Sequence, residues 1–169
     1  DGEYKPAKGT DNVQTIENPT NNNRIEARPS SKTVEGADNI GRGTTSPIQW
    51  FDEAEFTDHI GYILKASGPA FVQAATNALK NNAPFCRIIT STPGNVDAEP
   101  VLETDKTREY AAQWTDALYD KSPMELMEYL KANSVNRMFY IEFNYKQIGK
   151  DEAWYQKQCE MIDFDRIKI

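Results

Sequence analysis

Along the chain, short runs of apolar residues alternate with segments in which apolar residues recur at helical spacing. Ile48–Phe51 (I-Q-W-F) and Phe85–Thr90 (F-C-R-I-I-T) are short apolar runs bounded by polar residues, which is typical of buried strands. Between them, apolar residues at helical spacing predict a helix over Ser67–Leu79, with Ser67 as its cap and Pro69 in its first turn. A strand, a helix and a strand in this order predict the α/β class with a mostly parallel sheet.

The second half of the chain continues this alternation. A helix is predicted over Asp105–Leu118, and the sequence S-P-M-E from Ser122 is a capping box that opens a helix to about Ala132. The run Arg137–Phe143 (R-M-F-Y-I-E-F) predicts a strand, and Asp151–Met161 predicts a last helix. These elements extend the α/β pattern to the end of the chain.

The first 23 residues have a different character. They are polar and rich in Asn, Thr, Lys and Gly, so we expect a loop-rich arm, with a short strand at Asn12–Glu17 as the alternative. Arg24–Arg28 alternates between polar and apolar residues and predicts a strand. The sequence therefore predicts an arm over 1–23 and one folded domain over 24–169.

Composition narrows the classes of function. The length of 169 residues and the hydrophobic fraction of 38% suit a domain with a real core. The net charge is -7 and Lys and Arg do not cluster, so this segment is not expected to be a main DNA-gripping surface. An apolar run of the ~20 residues that span a membrane is absent. Cys86 and Cys159 lack metal-ligand spacing and are expected to be reduced thiols in a cytosolic protein.

The first candidate for chemistry is the acid pair Asp52 and Glu53, which follows the run I-Q-W-F. A mostly apolar run of four residues before Asp-Glu has the form of a Walker B motif, in which the first acid holds Mg²⁺ and the second orients and deprotonates the attacking water. A parallel strand delivers such side chains to the carboxyl edge of the sheet, where ligands bind. An ordinary strand that leaves the core produces the same pattern, so the motif alone is weak.

Two further candidates flank this acid pair. The hydroxyls of Thr90, Ser91 and Thr92 follow the next apolar run and are suited to bonding a γ-phosphate or the catalytic Glu, although a plain strand-to-loop turn gives the same pattern. Arg42 lies between two glycines, ten positions before the acid pair. An arginine directed at a neighbouring subunit's nucleotide accelerates hydrolysis by about 10³–10⁵, and the alternative is a surface-loop arginine.

In this order, the motifs resemble the ATPase core of phage large terminase subunits. The resemblance is carried by R-I-E-A-R-P-S-S-K, G-A-D-N-I-G-R-G, I-Q-W-F-D-E-A-E-F and R-I-I-T-S-T-P-G, between Arg24 and Gly94. The C-terminal D-E-A-W-Y-Q-K-Q-C is similar to the helix that leads to the family's linker. The most specific part is the pairing of D-E-A-E-F with T-S-T-P, which corresponds to the family's Walker B strand and coupling motif.

This resemblance implies a partial P-loop NTPase fold of the ASCE type, a mostly parallel sheet with flanking helices. It implies that Asp52 binds Mg²⁺, that Glu53 is the catalytic base and that Arg42 is a trans arginine finger. Thr90, Ser91 and Thr92 would couple ATP hydrolysis to motion. The implied partners are double-stranded DNA, a portal protein, a small terminase subunit and further copies in a ring, all in the host cell cytoplasm.

The departures from the family are as informative as the matches. The chain contains no G-x-x-x-x-G-K-[ST], so the lysine and the amides that cradle phosphates are missing. The family's adenine-reading segment and its nuclease domain are missing too. A cut piece of a longer protein, a split-gene product and a degenerate relative all fit, and the isolated chain is expected to be inactive as an ATPase.

Two other functions fit the same motifs. A superfamily 2 helicase fragment is one, because D-E-A-E followed by S-T resembles a DEAD-like motif pair, but that family's second RecA-type domain with its glycine-arginine motif is missing. The other is a non-catalytic accessory domain that keeps the fold and lost nucleotide binding. The only histidine, His59, is expected to be a solvated loop residue. The three tryptophans are expected in the core: Trp50, Trp114 and Trp154.

Overall fold

The computed structural model describes residues 14–42 and 45–161, which fold into short strands and five helices. The chain divides into two compact units, Asp1–Lys106 and Thr107–Ile169. The strands are β1 (Thr15–Asn18), β2 (Asn23–Glu26), β3 (Ile48–Phe51), β4 (Cys86–Ile89), β5 (Ala112–Gln113) and β6 (Phe139–Tyr140). The helices are α1 (Val34–Gly41), α2 (Ile60–Lys80), α3 (Glu99–Glu109), α4 (Pro123–Asn133) and α5 (Glu152–Met161).

The described strands form three separate two-stranded pairs. β1 and β2 are antiparallel, whereas β3 pairs with β4, and β5 with β6, in parallel. The mixed α/β class predicted from the sequence is confirmed. The expectation of one mostly parallel sheet is wrong for the described residues, because each strand is short and pairs with one neighbour only.

A hairpin replaces much of the predicted polar arm. β1 and β2 are joined by an asparagine-rich turn in which Asn18 Oδ1 accepts from the amide of Thr20 at 3.0 Å and Asn21 Oδ1 accepts from the amide of Asn23 at 3.1 Å. Asn22 adopts the left-handed conformation with φ 55°. Asparagine side chains stabilise such turns by bonding the backbone locally. The hairpin crosses position 23, where the sequence analysis ended the arm, and residues 1–13 lie outside the described part.

The first helix was not predicted, because its segment contains glycine and few apolar residues. Thr33 caps α1 by accepting from the amide of Gly36 at 3.2 Å. Ala37 is fully buried where α1 packs against α2. Packing against a neighbouring helix therefore stabilises a helix that local propensity does not favour.

The central helix α2 exists as predicted but begins at Ile60 instead of Ser67. Pro69 consequently lies inside the helix, where it removes one backbone hydrogen bond. Ser67 Oγ does not cap a helix start; it donates to the carbonyl of Leu64 at 3.2 Å. Burial of Ile60 and Ile63, which are 1% and 4% exposed, extends the helix past the proline.

The second unit confirms the predicted capping box. Ser122 Oγ accepts from the amide of Glu125, whose carboxylate accepts in return from the amide of Ser122 at 2.8 Å, and α4 begins there. The helix predicted over Asp105–Leu118 is wrong beyond Glu109, where α3 ends. Ala112, at 3% exposure, pairs with β6 instead, since burial in a strand outweighs helical spacing.

Aromatic side chains form a cluster in the second unit. Trp114 lies edge-on to Phe139 with ring centroids 5.0 Å apart, and edge-on to Tyr119 at 5.6 Å. Leu118 beside them is 2% exposed. Trp114 is half-buried in this cluster rather than fully in the core. Trp50 in the first unit is 66% exposed, so its prediction as a core residue is wrong. None of the described helices is long and apolar enough to cross a membrane.

Candidate functional site

The carboxyl ends of β3 and β4 bring the acid motif and the hydroxyl motif together. The parallel register pairs Phe51 with Ile89, so Asp52 and Thr90 leave their strands side by side. The ladder continues past the strands, since the amide of Thr90 donates to the carbonyl of Phe51 at 2.9 Å and the amide of Ala54 donates to the carbonyl of Thr90 at 3.0 Å. Ligands of α/β proteins bind at this edge of a parallel sheet.

The hydroxyl of Thr90 holds the first acid. Thr90 Oγ1 donates to Asp52 Oδ1 at 2.7 Å and accepts from Trp50 Nε1 at 2.8 Å. Because the hydrogen bonds run in one direction, each polarises the next. The chain from Trp50 to Asp52 fixes one carboxylate oxygen, and the acid is otherwise exposed to solvent.

The second acid, Glu53, lies in a strained part of the backbone. Its φ of 49° and ψ of 47° are in the left-handed region, which costs a residue other than glycine about 1–2 kcal/mol. Thr92 Oγ1 donates to Glu53 Oε2 at 3.3 Å. The Glu53 carbonyl accepts from the amide of Phe56 at 3.0 Å and from Thr57 Oγ1 at 3.1 Å, which stabilises the conformation. Strain of this kind occurs where a fold aims a side chain.

Glu55 is a site residue that the sequence analysis missed. Its amide donates to Ser91 Oγ at 3.1 Å, and its Oε2 accepts from the amide of Gly94 at 2.6 Å. A side chain at Gly94 would approach Val101 Cγ2 to 2.8 Å, so only glycine fits there without a shift. Glu55 thus connects the segment that carries Asp52 and Glu53 to the segment that carries Ser91 and Gly94 through two hydrogen bonds. Its signal in the sequence was the third acid of D-E-A-E.

Arg87 is a second residue that was missed, and it attaches the strand pair to α2. Its guanidinium donates to Gln49 Oε1 at 2.8 Å and to Ser67 Oγ at 3.2 Å. It also lies over the ring of Phe71, 4.7 Å from the centroid. Burial lowers the pKa of Arg87 from its usual range. Arg87 therefore positions β4, and with it Thr90, against the helix.

Arg42 lies elsewhere in the first unit. It ends α1 and forms an ion pair with Asp38 at 2.5 Å, with 66% of its side chain exposed. Together with Lys65 and Pro69 it lines an open cleft of about 520 Å³. The structure therefore joins Asp52 and Glu53 with the hydroxyl segment but pairs Arg42 with a different acid. Gly43, the second of its flanking glycines, lies outside the described residues.

Carboxylate and hydroxyl oxygens are the side-chain ligands available to a divalent cation at this edge. Within residues 14–42 and 45–161, no three His, Cys, Asp or Glu side chains form a group that could hold a metal by themselves. Mg²⁺ does not require such a group, because it binds through one or two carboxylates, water and the phosphates of its nucleotide. Asp52, exposed and beside hydroxyls, fits that mode of binding.

Comparison with known proteins does not add to this picture. No protein-family model, curated protein sequence or solved structure matches the chain. Function is therefore inferred from the geometry at the carboxyl edge of β3 and β4, where acids and hydroxyls meet through direct hydrogen bonds.

The Thr90 hydroxyl should contribute measurably to stability. Thr90→Val keeps the shape and removes both hydrogen bonds, so we expect a loss of about 1–2 kcal/mol from the free energy of unfolding in urea. Thr76→Val is the matched control, because the Thr76 hydroxyl bonds only a carbonyl of its own helix. Equal losses in the two variants would contradict the role of Thr90.

Proposed function

We propose that this chain forms the catalytic-acid part of the ATPase in a viral DNA-packaging motor. Such a motor couples ATP hydrolysis to the translocation of double-stranded DNA into a procapsid. One observation carries the proposal: at the carboxyl edge of two parallel strands, Asp52 bonds Thr90 at 2.7 Å and Glu53 bonds Thr92 at 3.3 Å. This is the pairing of acid motif and coupling motif that the resemblance to large terminase subunits implies.

The two acids have separate tasks in this proposal. Asp52 holds Mg²⁺ through its carboxylate, directly or through water, while Thr90 fixes its orientation. Bound Mg²⁺ neutralises negative charge on the phosphates of ATP. Glu53 accepts the proton of the attacking water, for which a carboxylate at an exposed strand end is suited. The strained backbone of Glu53 supports an assignment in which its direction matters.

The segment from Thr90 to Gly94 is the coupling element of the proposal. Thr90 and Thr92 each donate to one of the acids, and Gly94 donates to Glu55. A displacement of the acids on hydrolysis is therefore transmitted to this segment through three hydrogen bonds. Ser91, which bonds the amide of Glu55, adds a fourth.

In the proposed ring assembly, Arg42 acts on the nucleotide of a neighbouring copy. An exposed arginine at a helix end is suited to reach the nucleotide of a neighbouring copy, and a trans arginine finger has no need to contact its own acids. Double-stranded DNA, a portal protein and a small terminase subunit are the further partners of such a motor in the host cell cytoplasm. The net charge of -7 indicates that the DNA grip is supplied elsewhere in the assembly.

A non-catalytic domain with this fold is the second candidate function. It is favoured by one observation, the lack of G-x-x-x-x-G-K-[ST] in the 169 residues. The two candidates differ in one result. An ATPase part restores hydrolysis when a phosphate-binding loop is supplied, and a non-catalytic domain does not.

The chain alone should bind Mg²⁺–ATP weakly, with a Kd of about 1 mM or more, which corresponds to at most about 4 kcal/mol of binding free energy. The physical reason is that a phosphate-binding loop provides most of the donors for the phosphates, and this sequence lacks it. Calorimetric titration measures the affinity, with Asp52→Asn as the control for metal-dependent binding. A micromolar Kd would mean that the phosphates are held by residues of this chain.

A further inference from the structure

Trp50 is a large apolar side chain that the fold leaves outside the core. It is 66% exposed on β3, so its ring gains little from burial at this position. Its one polar atom, Nε1, nonetheless has a specific partner, since it donates to Thr90 Oγ1 at 2.8 Å across 40 positions of sequence. Water would satisfy an exposed N–H nearly as well. Neither packing nor the needs of the indole itself explain this contact.

The register of β3 and β4 brings Trp50 and the first acid to the same hydroxyl group. Side chains alternate along a strand, so Trp50 and Asp52, two positions apart, lie on the same side of β3. Thr90 directly follows the pair of Phe51 and Ile89 and contacts both of these side chains. Its Oγ1 lies 2.8 Å from Trp50 Nε1 and 2.7 Å from Asp52 Oδ1.

The direction of this hydrogen-bond chain is fixed by the chemistry of its two ends. An indole N–H only donates, and an ionised carboxylate only accepts. The Thr90 hydroxyl therefore accepts from Trp50 and directs its single proton to Asp52. A hydroxyl without such a donor rotates more freely and exchanges its proton between the carboxylate and water. Trp50 thus determines where the proton of Thr90 points.

The backbone of Thr90 is held independently of its side chain. The amide of Thr90 donates to the carbonyl of Phe51 at 2.9 Å, and its carbonyl accepts from the amide of Ala54 at 3.0 Å. Both backbone groups are engaged in the ladder, so rotation of the side chain is the motion that remains. The hydrogen bond from Trp50 Nε1 restricts that rotation.

We propose that Trp50 is a positioning residue for the metal ligand Asp52 and acts through the hydroxyl of Thr90. The indole fixes the hydroxyl, and the hydroxyl fixes Asp52 Oδ1. In the described part of the chain, Asp52 Oδ2 accepts no hydrogen bond, so it is the oxygen available to Mg²⁺. The role of Asp52 as metal ligand is taken from the proposed function, on which this inference rests. Groups that orient a ligand raise metal affinity because they restrict its motion before the cation binds.

Mn²⁺ is the probe for the test, because it takes the same oxygen ligands as Mg²⁺ and broadens the NMR signals of nearby nuclei. Titration of the full chain should broaden the backbone amide of Asp52 before that of Asp116, an exposed acid of the second unit. The Mn²⁺ concentration at half intensity measures the affinity of each variant. Asp52→Asn should lose the selective broadening. Ile88→Ala truncates the residue that pairs with Trp50, keeps the hydrogen-bond chain and should retain the wild-type affinity.

Trp50→Phe keeps an aromatic ring and removes the N–H. We expect its Mn²⁺ affinity to fall about three- to tenfold, the range that one hydrogen bond contributes. Replacement of Trp50 by benzothienylalanine, which keeps the size of the ring and lacks the N–H, should give the same loss. Thr90→Val should lose at least about tenfold, since it removes the group that bonds the carboxylate directly. The double variant should bind no more weakly than Thr90→Val alone, because the indole then has no hydroxyl to orient.

The indole signal of Trp50 provides a readout that does not depend on metal binding. Its Nε1 proton should exchange with water at least about threefold more slowly in the wild-type protein than in the Thr90→Val variant. Thr90→Ser keeps the hydroxyl and should restore the protection. Trp114 and Trp154 give the other two indole signals, and their exchange rates should be equal in the three proteins.

The outcomes separate this inference from the proposed function. Wild-type Mn²⁺ affinity in Trp50→Phe overturns the inference, and so does equal indole exchange in the wild-type protein and Thr90→Val. Additive losses in the double variant also overturn it, because Trp50 would then act independently of the hydroxyl. If the Mn²⁺ and exchange results hold but a supplied phosphate-binding loop gives no ATP hydrolysis, the positioning role stands and the proposed ATPase function fails. Wild-type Mn²⁺ binding in Asp52→Asn overturns both.

Discussion

Replacing Glu53 with Gln is expected to lower ATP hydrolysis by about 10²–10⁴-fold, the usual contribution of a general base. The protein for this measurement carries the site together with a phosphate-binding loop. Glutamine has the size of glutamate and still accepts the hydrogen bond from Thr92 Oγ1, but its amide cannot take up a proton. The substitution therefore removes the chemistry and keeps the geometry.

ATP binding should be unchanged in the Glu53→Gln variant, since the base contacts water rather than the phosphates. Steady-state phosphate release measures the turnover, and a fluorescent nucleotide measures the binding. Glu55→Gln is the matched control, because Glu55 bonds the amide of Gly94 and Thr92 bonds the other acid. We expect the hydrolysis rate of the Glu55→Gln variant to fall by less than about tenfold, which corresponds to about 1.4 kcal/mol of activation free energy. Normal turnover in the Glu53 variant would rule out its role as base.

Ile60→Ala should be the most destabilising of the substitutions in the first unit. Ile60 is 1% exposed at the start of α2, and truncation of a buried isoleucine costs about 2–5 kcal/mol through lost transfer energy and the cavity left behind. The cost applies to the first unit, so urea unfolding is followed by NMR signals of α2 and β4.

Val72→Ala is the control on the same helix, because Val72 is 64% exposed. Its effect should stay within about 0.5 kcal/mol, as alanine is the better helix former and little apolar contact is lost. Similar losses for Ile60→Ala and Val72→Ala would contradict the burial of the helix start. The comparison also tests whether α2 extends before Pro69, since Ile60 lies outside the helix predicted from the sequence.

Part of the fold followed from local signals. The runs I-Q-W-F and F-C-R-I-I-T formed β3 and β4, although every second residue of these strands is exposed and the prediction that they are buried is wrong. The S-P-M-E sequence formed its capping box, and α5 matched its predicted range apart from the first residue. These elements are determined by apolar periodicity and by side chains that bond the neighbouring backbone, both of which are readable within a short window.

Elsewhere the local signals predicted the wrong helix boundaries. Pro69 marked a helix start, but α2 runs through it because Ile60 and Ile63 are buried. The predicted helix beyond Glu109 became β5 because its backbone pairs with β6. In both cases a contact between residues distant in sequence outweighs a propensity of about 1–3 kcal/mol, and no window of sequence contains that contact.

The sequence by itself was sufficient to locate the acid pair and the hydroxyl segment at strand ends. Each of them directly follows an apolar run that forms a strand. Only the tertiary structure decided that they touch. The parallel register of β3 and β4 brings Thr90 to Asp52, and the left-handed turn at Glu53 directs the second acid to Thr92. Glu55 and Arg87 acquired their roles in the same way, since their partners lie between 20 and 39 positions away. Hydrogen bonds over such separations form only when the backbone has folded, which is why the sequence indicated the components of the site and the fold determined their arrangement.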